Sequence, residues 1–496
     1  MLKSLTLSAL LAAAPSLHAD AATDAIGDRS SGMQRPPAVA IAPEAAPAFD
    51  AAGGEWSAKA AFAVYTEGLR AIGEVVEREP DAGAEGGPGL ALLAAKVLTC
   101  ELEGPGFVNR GVVLIEDGRI VAVGRRDEVE IPDDYEVVDV GANWLMPGMV
   151  DLHAHVVDET PFPAVNDAVL LTNPGLRVSS TIIPGNTRMR QALAAGVTTL
   201  LFIPGSGSTI GGQGSLVKTA PGTLEERTVA DPAALKIAQY GNPERWGGRV
   251  GKSYLFANLR ADLDAGRAYA ERWRAFEAGE GERPAIDPDL EVYHGLFDGT
   301  VPVAVHTQVV QVVAATIDIL RVQYGLNVFV DHGTFDSWRV ASYCFEQGVA
   351  AILGPRNVSM PDRGMIDWTG DNPERVQGVA AGWWDEGHRM IGFNTDSPNV
   401  PQHELALQAA IAVRHGFPDD RLQTVRGLTI VPALTIGMGH RLGSLEAGKD
   451  ADVVVLSGHP ADPRTKVREV FVEGVKAYDE EAERAKEREP DTGRRP

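Results

Sequence analysis

Apolar positions along the chain change rhythm twice after an irregular start, and each change predicts a different kind of structure. From Leu90 the runs are short and β-like: ALLAAKVLT, GVVLIEDGRIVAVG and YEVVDV. Asp117-Gly118 divides the middle run into two apolar halves, the composition of a two-residue hairpin turn. After Pro147 the runs are almost wholly apolar: GMVDLHAHV (148–156), GVTTLLFIPG (196–205), ALKIAQYG (234–241), VPVAVHTQ (301–308), LNVFVDHG (326–333), VAAILGP (349–355) and RMIGFNTDSP (389–398). Helical stretches such as Leu255–Glu277 and Val309–Tyr324 separate several of them. Apolar strands alternating with helices predict a parallel sheet in an α/β fold. Polar residues at the strand ends, over so long a run, favour a (β/α)8 barrel over an open sheet. From Leu445 the β rhythm returns in EAGKDADVVVLSG and VREVFVEGVKAYD, and the two flanking β pieces are expected to form one small domain.

These changes set the expected organisation. Met1–Ala21 carries Lys3, the apolar run Leu5–Ala14 and an Ala19-Asp20-Ala21 cleavage site, so residues 1–21 read as a secretory signal peptide. The protein is therefore expected to be exported, periplasmic or secreted. Residues 22–88 read as a lead-in with one helix, spaced through Phe62, Tyr65, Leu69, Ile72 and Val76. The first β part covers 89–147, the barrel 148–440 and the second β part 441–479. The charged stretch 480–496 is expected to be a disordered tail. No apolar stretch reaches the roughly 20 residues that a membrane-spanning helix needs.

Composition narrows the partners. The chain has 496 residues, with 45 Lys and Arg against 68 Asp and Glu, a formal charge of −23. So acidic a chain is a poor match for nucleic acid or for anionic lipid, which leaves a small-molecule substrate; a homo-oligomer is compatible with this. Two cysteines exclude a disulfide scaffold and a cysteine-ligated zinc module.

Of the eleven histidines, four stand at the carboxyl ends of predicted barrel strands: His153, His155, His306 and His332, with Asp396 ending the last strand. Strand ends of this kind converge on one mouth in a barrel. His153 and His155 are two apart on a strand, so both face the same way and can share a divalent ion. Four imidazoles and one carboxylate suit a borderline transition metal better than calcium or magnesium.

Together PGMVDLHAH, VPVAVHTQ, VFVDHG, FNTDSP and RLGSLEAGKDADVVVL resemble the amidohydrolase superfamily, and within it the imidazolonepropionase-like branch, over about residues 90 to 478. The resemblance implies a (β/α)8 barrel with a small β-sandwich built from both ends of the chain. It also implies one or two divalent metal ions that activate water, zinc in first place, with iron, manganese or nickel as alternatives. On this resemblance His153, His155 and Asp396 are expected to hold the more buried ion. His306 and His332 then hold a second ion, or in a one-metal variant His306 joins the first set and His332 orients the water. Asp396 is expected to shuttle the proton. Related two-metal enzymes often use a carboxylated lysine on strand four as a bridge, which points to Lys236, with Lys218 behind it. The following YGNPERWG resembles a GENPKR-type segment of this branch but lacks its first acid.

Two loops are expected to shape the pocket. PGSGSTIGGQG (204–214) lacks the terminal Lys-Ser/Thr of a phosphate-binding loop, so a nucleotide is not expected. Arg356 and Arg363, after strand seven, would suit a carboxylate-bearing substrate. The expected function is a metal-dependent hydrolase cleaving a C–N bond in an amide, peptide-like or cyclic amide substrate. The alternatives are a mononuclear deaminase or imidazolone-type ring hydrolase, and an exported binding protein whose catalysis is retired.

Overall fold

The computed structural model describes residues 89–488 except 103, 158–164, 168, 169, 240, 241, 244–249, 356 and 360–375. The leader, the lead-in, Arg356 and Arg363 lie outside the described residues.

The chain enters in β1 (Leu90–Leu98), β2 (Phe107–Glu116), β3 (Arg119–Arg125), β4 (Glu136–Asp139) and β5 (Trp144–Pro147). Asp117 and Gly118 turn β2 into β3 with φ of 46° and 75°, the left-handed pair that a tight hairpin requires. The second sheet contains β6 (Met149–Ala154), β7 (Val197–Phe202), β8 (Ile210–Lys218), β9 (Thr228–Ala238), β10 (Val303–Thr307), β11 (Val328–His332) and β12 (Ala350–Leu353). A short pair, β13 (Val358–Ser359) and β14 (Gln377–Gly378), interrupts before β15 (Ile391–Phe393) completes it. The last three strands, β16 (Val453–Leu456), β17 (Val467–Val472) and β18 (Val475–Asp479), return to the first sheet. Val455 pairs with Leu145 there, so β16 lies against β5 and the two ends of the chain share one hydrogen-bonded sheet.

The second sheet runs β15-β12-β11-β10-β9-β8-β7-β6 and is nearly closed. Among the described residues one isolated parallel bridge, Ala154 to Ser397, links its two edges. Most of its strands are buried along their whole length, as strands covered on both faces must be, while β9 is buried only from Ala233 onward. The helix Lys252–Glu277 buries Leu255, Leu259, Leu263, Gly266 and Ala270, a stripe in steps of three and four. Its Gly266 lies flat on the Tyr293 ring, where a Cβ would stand 2.3 Å from Cδ1, so only glycine lets this helix reach the helix Glu291–Asp298. Among the described residues no helix is long and apolar enough to cross a membrane.

Two expectations need correction. The barrel sheet is not wholly parallel, because β8 runs antiparallel to both β7 and β9. The connections at 203–209 and 219–227 are shorter than the dozen or so residues a parallel crossover needs, so both close as hairpins. With no crossover helix available to β8, the segment around Asn173–Leu176 covers it. Asn173 N–H donates to Ile210 O at 2.8 Å and Gln213 N–H to Leu176 O at 2.7 Å. The second correction concerns Glu480–Arg488, which is a helix and not a disordered tail. Asp479 Oδ1 caps it by accepting from Glu481 N and Ala482 N at 3.0 Å, and Arg484 pairs back to Glu480 at 2.6 Å. Acids in the first turn, a cap and an i, i+4 pair are what a polar helix needs.

Candidate metal centre

β6 carries His153, and His155 follows just beyond its end; two residues apart on extended chain, the two rings share a face and both are buried. Their Nε2 atoms are 3.1 Å apart. Across the open edge of the sheet, Asp396 follows β15 in a left-handed conformation with φ of 48°. Its Oδ1 lies 3.1 Å from His155 Nε2 and 3.4 Å from His153 Nε2. Lys236, near the end of β9, brings Nζ to 3.0 Å from His153 Nε2. The rings of His306 and His332, from β10 and β11, are 4.4 Å apart, and His332 is 4.5 Å from His153. All six side chains therefore meet at one mouth.

The outer nitrogens fix the proton positions. His155 Nδ1–H donates to Ile203 O at 2.7 Å and His332 Nδ1–H to Gly354 O at 2.8 Å. His306 Nδ1 shares a proton with Ser206 Oγ at 2.8 Å. Each of these rings then turns Nε2 inward, and Nε2 of His306 and of His332 is buried with no hydrogen-bond partner among the described residues. Burial pushes the His153, His306 and His332 imidazoles below their ordinary range, helped at His153 and His306 by neighbouring cationic groups. Burial also pushes the Lys236 amine down. On Asp396 burial acts upward, but the imidazoles of His332, His155 and His153 outweigh it and hold the carboxyl well below the usual range.

This donor set fits a divalent ion. His155 Nδ1 is committed to Ile203 O, which turns its Nε2 towards Asp396 Oδ1. With His153 Nε2 beside them, these atoms form a compact set of nitrogen and oxygen donors of the kind that holds a divalent ion. Tetrahedral ligands about 2.0–2.1 Å from zinc stand roughly 3.3 Å from one another, close to the spacings observed here. His153, His155 and Asp396 place one ligand atom each within 4.8 Å of the others.

Lys218, the second lysine considered for the bridge, is far from this mouth. It ends the antiparallel β8 at the opposite side of the barrel, bound to Asp450 and Asp452. Three contributors escaped the sequence reading. Asp331 is fully buried with Oδ2 3.1 Å from His153 Nδ1 and 3.7 Å from Lys236 Nζ, and burial lifts its carboxyl to about 6. Asp151 lies two residues before His153 and is also fully buried, its carboxyl pushed up to about 7 by burial. Ser206 holds the outer nitrogen of His306. Each stood inside a quoted segment: VFVDHG, PGMVDLHAH and PGSGSTIGGQG. An acidic residue inside an otherwise apolar strand was the available signal for the two aspartates.

Residues 374–478 match the Amidohydrolase family. The chain is similar to the amidohydrolase tasK of Hapsidospora irregularis, 26% identical over 75% of this chain and 40% of that protein. It thus spans less than half the length of that relative. It is also similar to an imidazolonepropionase of Rhizobium rhizogenes, 24% identical over 71% of this chain and 88% of that one. A crystal structure of an amidohydrolase from Thermotoga maritima MSB8 covers 78% of this chain and 100% of its own, at 27% identity and a TM-score of 0.68.

Proposed function

This chain belongs to the amidohydrolase superfamily, and we propose that it hydrolyses a C–N bond with metal-activated water, the substrate being an amide, a peptide-like molecule or a cyclic amide. One observation carries the metal part of the reading: His153 Nε2, His155 Nε2 and Asp396 Oδ1 lie 3.1–3.4 Å from one another. His153, His155 and Asp396 would hold the first ion, with His306 and His332 beside it. A divalent ion bound there lowers the pKa of water towards neutrality and polarises a scissile carbonyl.

The protein's own groups do the rest. Asp396, kept ionised by its imidazole neighbours, takes the proton of the attacking water and returns it to the departing nitrogen. Asn399 Nδ2 donates to Asp396 Oδ2 at 2.6 Å, which leaves Oδ1 directed at the histidines. His332, with Nδ1–H committed to Gly354 O, offers Nε2 to orient water or substrate. Lys236 is read as the bridge: burial favours its neutral amine, the form that adds carbon dioxide to make a carbamate. Arg356 and Arg363 remain the proposed partners of a substrate carboxylate. The small domain is read as a β-sandwich, since residues of β1, β2, β3, β5, β16 and β17 close over one apolar core. Export rests on the leader pattern over residues 1–21.

A one-metal reading, with ring hydrolysis or deamination as its chemistry, is favoured by the compact trio His153, His155 and Asp396. The test is to strip the full-length protein with a chelator and follow amine or ammonia release from N-acyl amino acids, dipeptides and cyclic imidazolones. Activity should vanish and return with zinc, iron or manganese. Undiminished turnover in metal-stripped protein would overturn the proposal. Metal content then separates the readings: two ions in the wild type, falling in Lys236→Ala, support the bridge, whereas an unchanged content in that variant removes it.

A further inference from the structure

The candidate centre straddles the one place where the barrel sheet is not closed by a strand ladder. His153 and His155 belong to the β6 edge and Asp396 to the β15 edge, yet among the described residues backbone pairing across the gap amounts to the Ala154–Ser397 bridge, with His155 N–H donating to Ser397 O at 2.9 Å. Three ligand atoms within 4.8 Å of one another, drawn from two edges so sparsely joined, require something else to hold their spacing.

Asp151 spans that gap. It shares a strand face with His153 and lies one pleat deeper in the barrel. Its Oδ1 accepts from His153 N at 3.1 Å on its own edge and from Thr395 N at 3.4 Å on the other. Its Oδ2 accepts from Thr395 Oγ1 at 2.5 Å. One carboxyl group thus grips the backbone of one ligand and the residue immediately before another. Thr395 is fully buried, and Asp396 behind it has a φ of 48°, a conformation that persists in a non-glycine residue only where its surroundings over-determine it. Packing alone does not explain a fully buried acid at this point, where an apolar side chain would avoid the desolvation cost.

We propose that Asp151 is a positioning residue: through Thr395 it ties the two edges of the barrel together and sets the distance between His153 and Asp396. The inference rests on the metal-centre reading, and it predicts that the tie governs how tightly the site holds an ion. Outer partners of this kind change metal affinity by roughly 10- to 100-fold when removed.

Zinc affinity of the full chain, measured by competition with a chelating indicator, tests this on Asp151→Ala, Asp151→Asn and Thr395→Val. Asp151→Ala should weaken zinc binding by about 10- to 100-fold. Asp151→Asn, which keeps one acceptor oxygen, should lie between it and the wild type. Thr395→Val preserves shape and loses only the hydroxyl, so it should fold and show a smaller loss in the same direction. Lys218→Met serves as the control for a merely structural defect, because Lys218 lies at the far side of the barrel and should leave zinc affinity unchanged while lowering stability. Wild-type affinity in both Asp151→Ala and Thr395→Val, or losses no larger than that of Lys218→Met, would overturn the proposal. A wild-type chain that takes up no zinc would instead overturn the metal reading. The tie is then decided by a double-mutant cycle on urea unfolding, where coupling between Asp151→Ala and Thr395→Val supports it and strict additivity refutes it.

Discussion

Lys218 and Lys236 lie on neighbouring strands of one sheet, and both side chains are fully buried, yet their surroundings give them opposite characters. Burial alone would push both amines down. Around Lys218, Asp452, Asp450 and Glu473 outweigh that effect, at 3.1, 2.7 and 3.1 Å respectively, and hold the ammonium above its ordinary range. The carboxylates are shared in turn, Asp450 with Arg441 at 2.9 Å and Glu473 with Arg227 at 2.8 Å. Lys236 has Asp331 at 3.7 Å and the charge of Asp396 in its favour, but it sits among imidazoles, and burial still outweighs both carboxylates and pushes the amine down. The antiparallel course of β8 sends the two lysines to opposite ends of the barrel. The difference teaches that burial does not make a lysine reactive: the supply of carboxylates decides whether it serves as structural glue or as chemistry.

The sharpest way to break this contrast is Lys218→Met. It leaves Asp450, Asp452 and Glu473 with one cation fewer, and breaking a buried pair of this kind costs about 3–5 kcal/mol. The urea midpoint should fall accordingly, with metal content unchanged; a loss below about 1 kcal/mol, the level of an exposed pair, would refute the structural role. Lys236→Met should act the other way. Removing a poorly compensated buried amine is expected to stabilise the metal-free protein by about 0.5–2 kcal/mol, the usual range for relieving a functional strain, while removing the proposed bridge. A destabilised metal-free variant would show that Lys236 is well paired after all.

The smallest effect is in the pH dependence. Lys218 has a folded pKa above its unfolded value near about 10.4, so its contribution is complete below that pH and is lost as pH rises through the folded value. Lys236 has a folded pKa below the same unfolded value, so its penalty is complete below the folded value and disappears as pH climbs towards about 10.4. Urea midpoints between neutral and strongly alkaline pH should therefore show the advantage of Lys236→Met shrinking with rising pH. The deficit of Lys218→Met should persist until Lys218 itself deprotonates. An advantage of Lys236→Met that is independent of pH would remove the electrostatic explanation.

What was legible in the sequence follows from the same physics. His153, His155, His306, His332 and Asp396 stood out because each closes an apolar strand, and a polar side chain there has few uses other than a site. Asp331 and Asp151 were hidden by that same rule, since each lies inside a strand whose next polar residue took the attention. Ser206 sat in a glycine-rich loop whose path no periodicity constrains. The antiparallel β8 could not be read from its own residues, because burial on both faces leaves no alternation that would mark its direction; the short connections at 203–209 and 219–227 carried the information. The helix at Glu480–Arg488 was missed because its charges suggested disorder, although their order along the chain, acids first and bases last, is the signature of a capped helix.

The open edge between β6 and β15 also has a consequence in time. A chain made from its N-terminus presents His153 and His155 long before Asp396, and at about 5–20 residues per second the interval is far longer than a strand needs to find its neighbours. During that interval the first two imidazoles can bind an ion only loosely and without Asp396. The last strand of the barrel sheet brings the carboxylate, and Thr395 arrives with it to meet Asp151. On the proposed metal reading, firm uptake of an ion at these three residues would mark the moment the barrel is sealed, and metal retention would report on completed folding as well as on the readiness of the site.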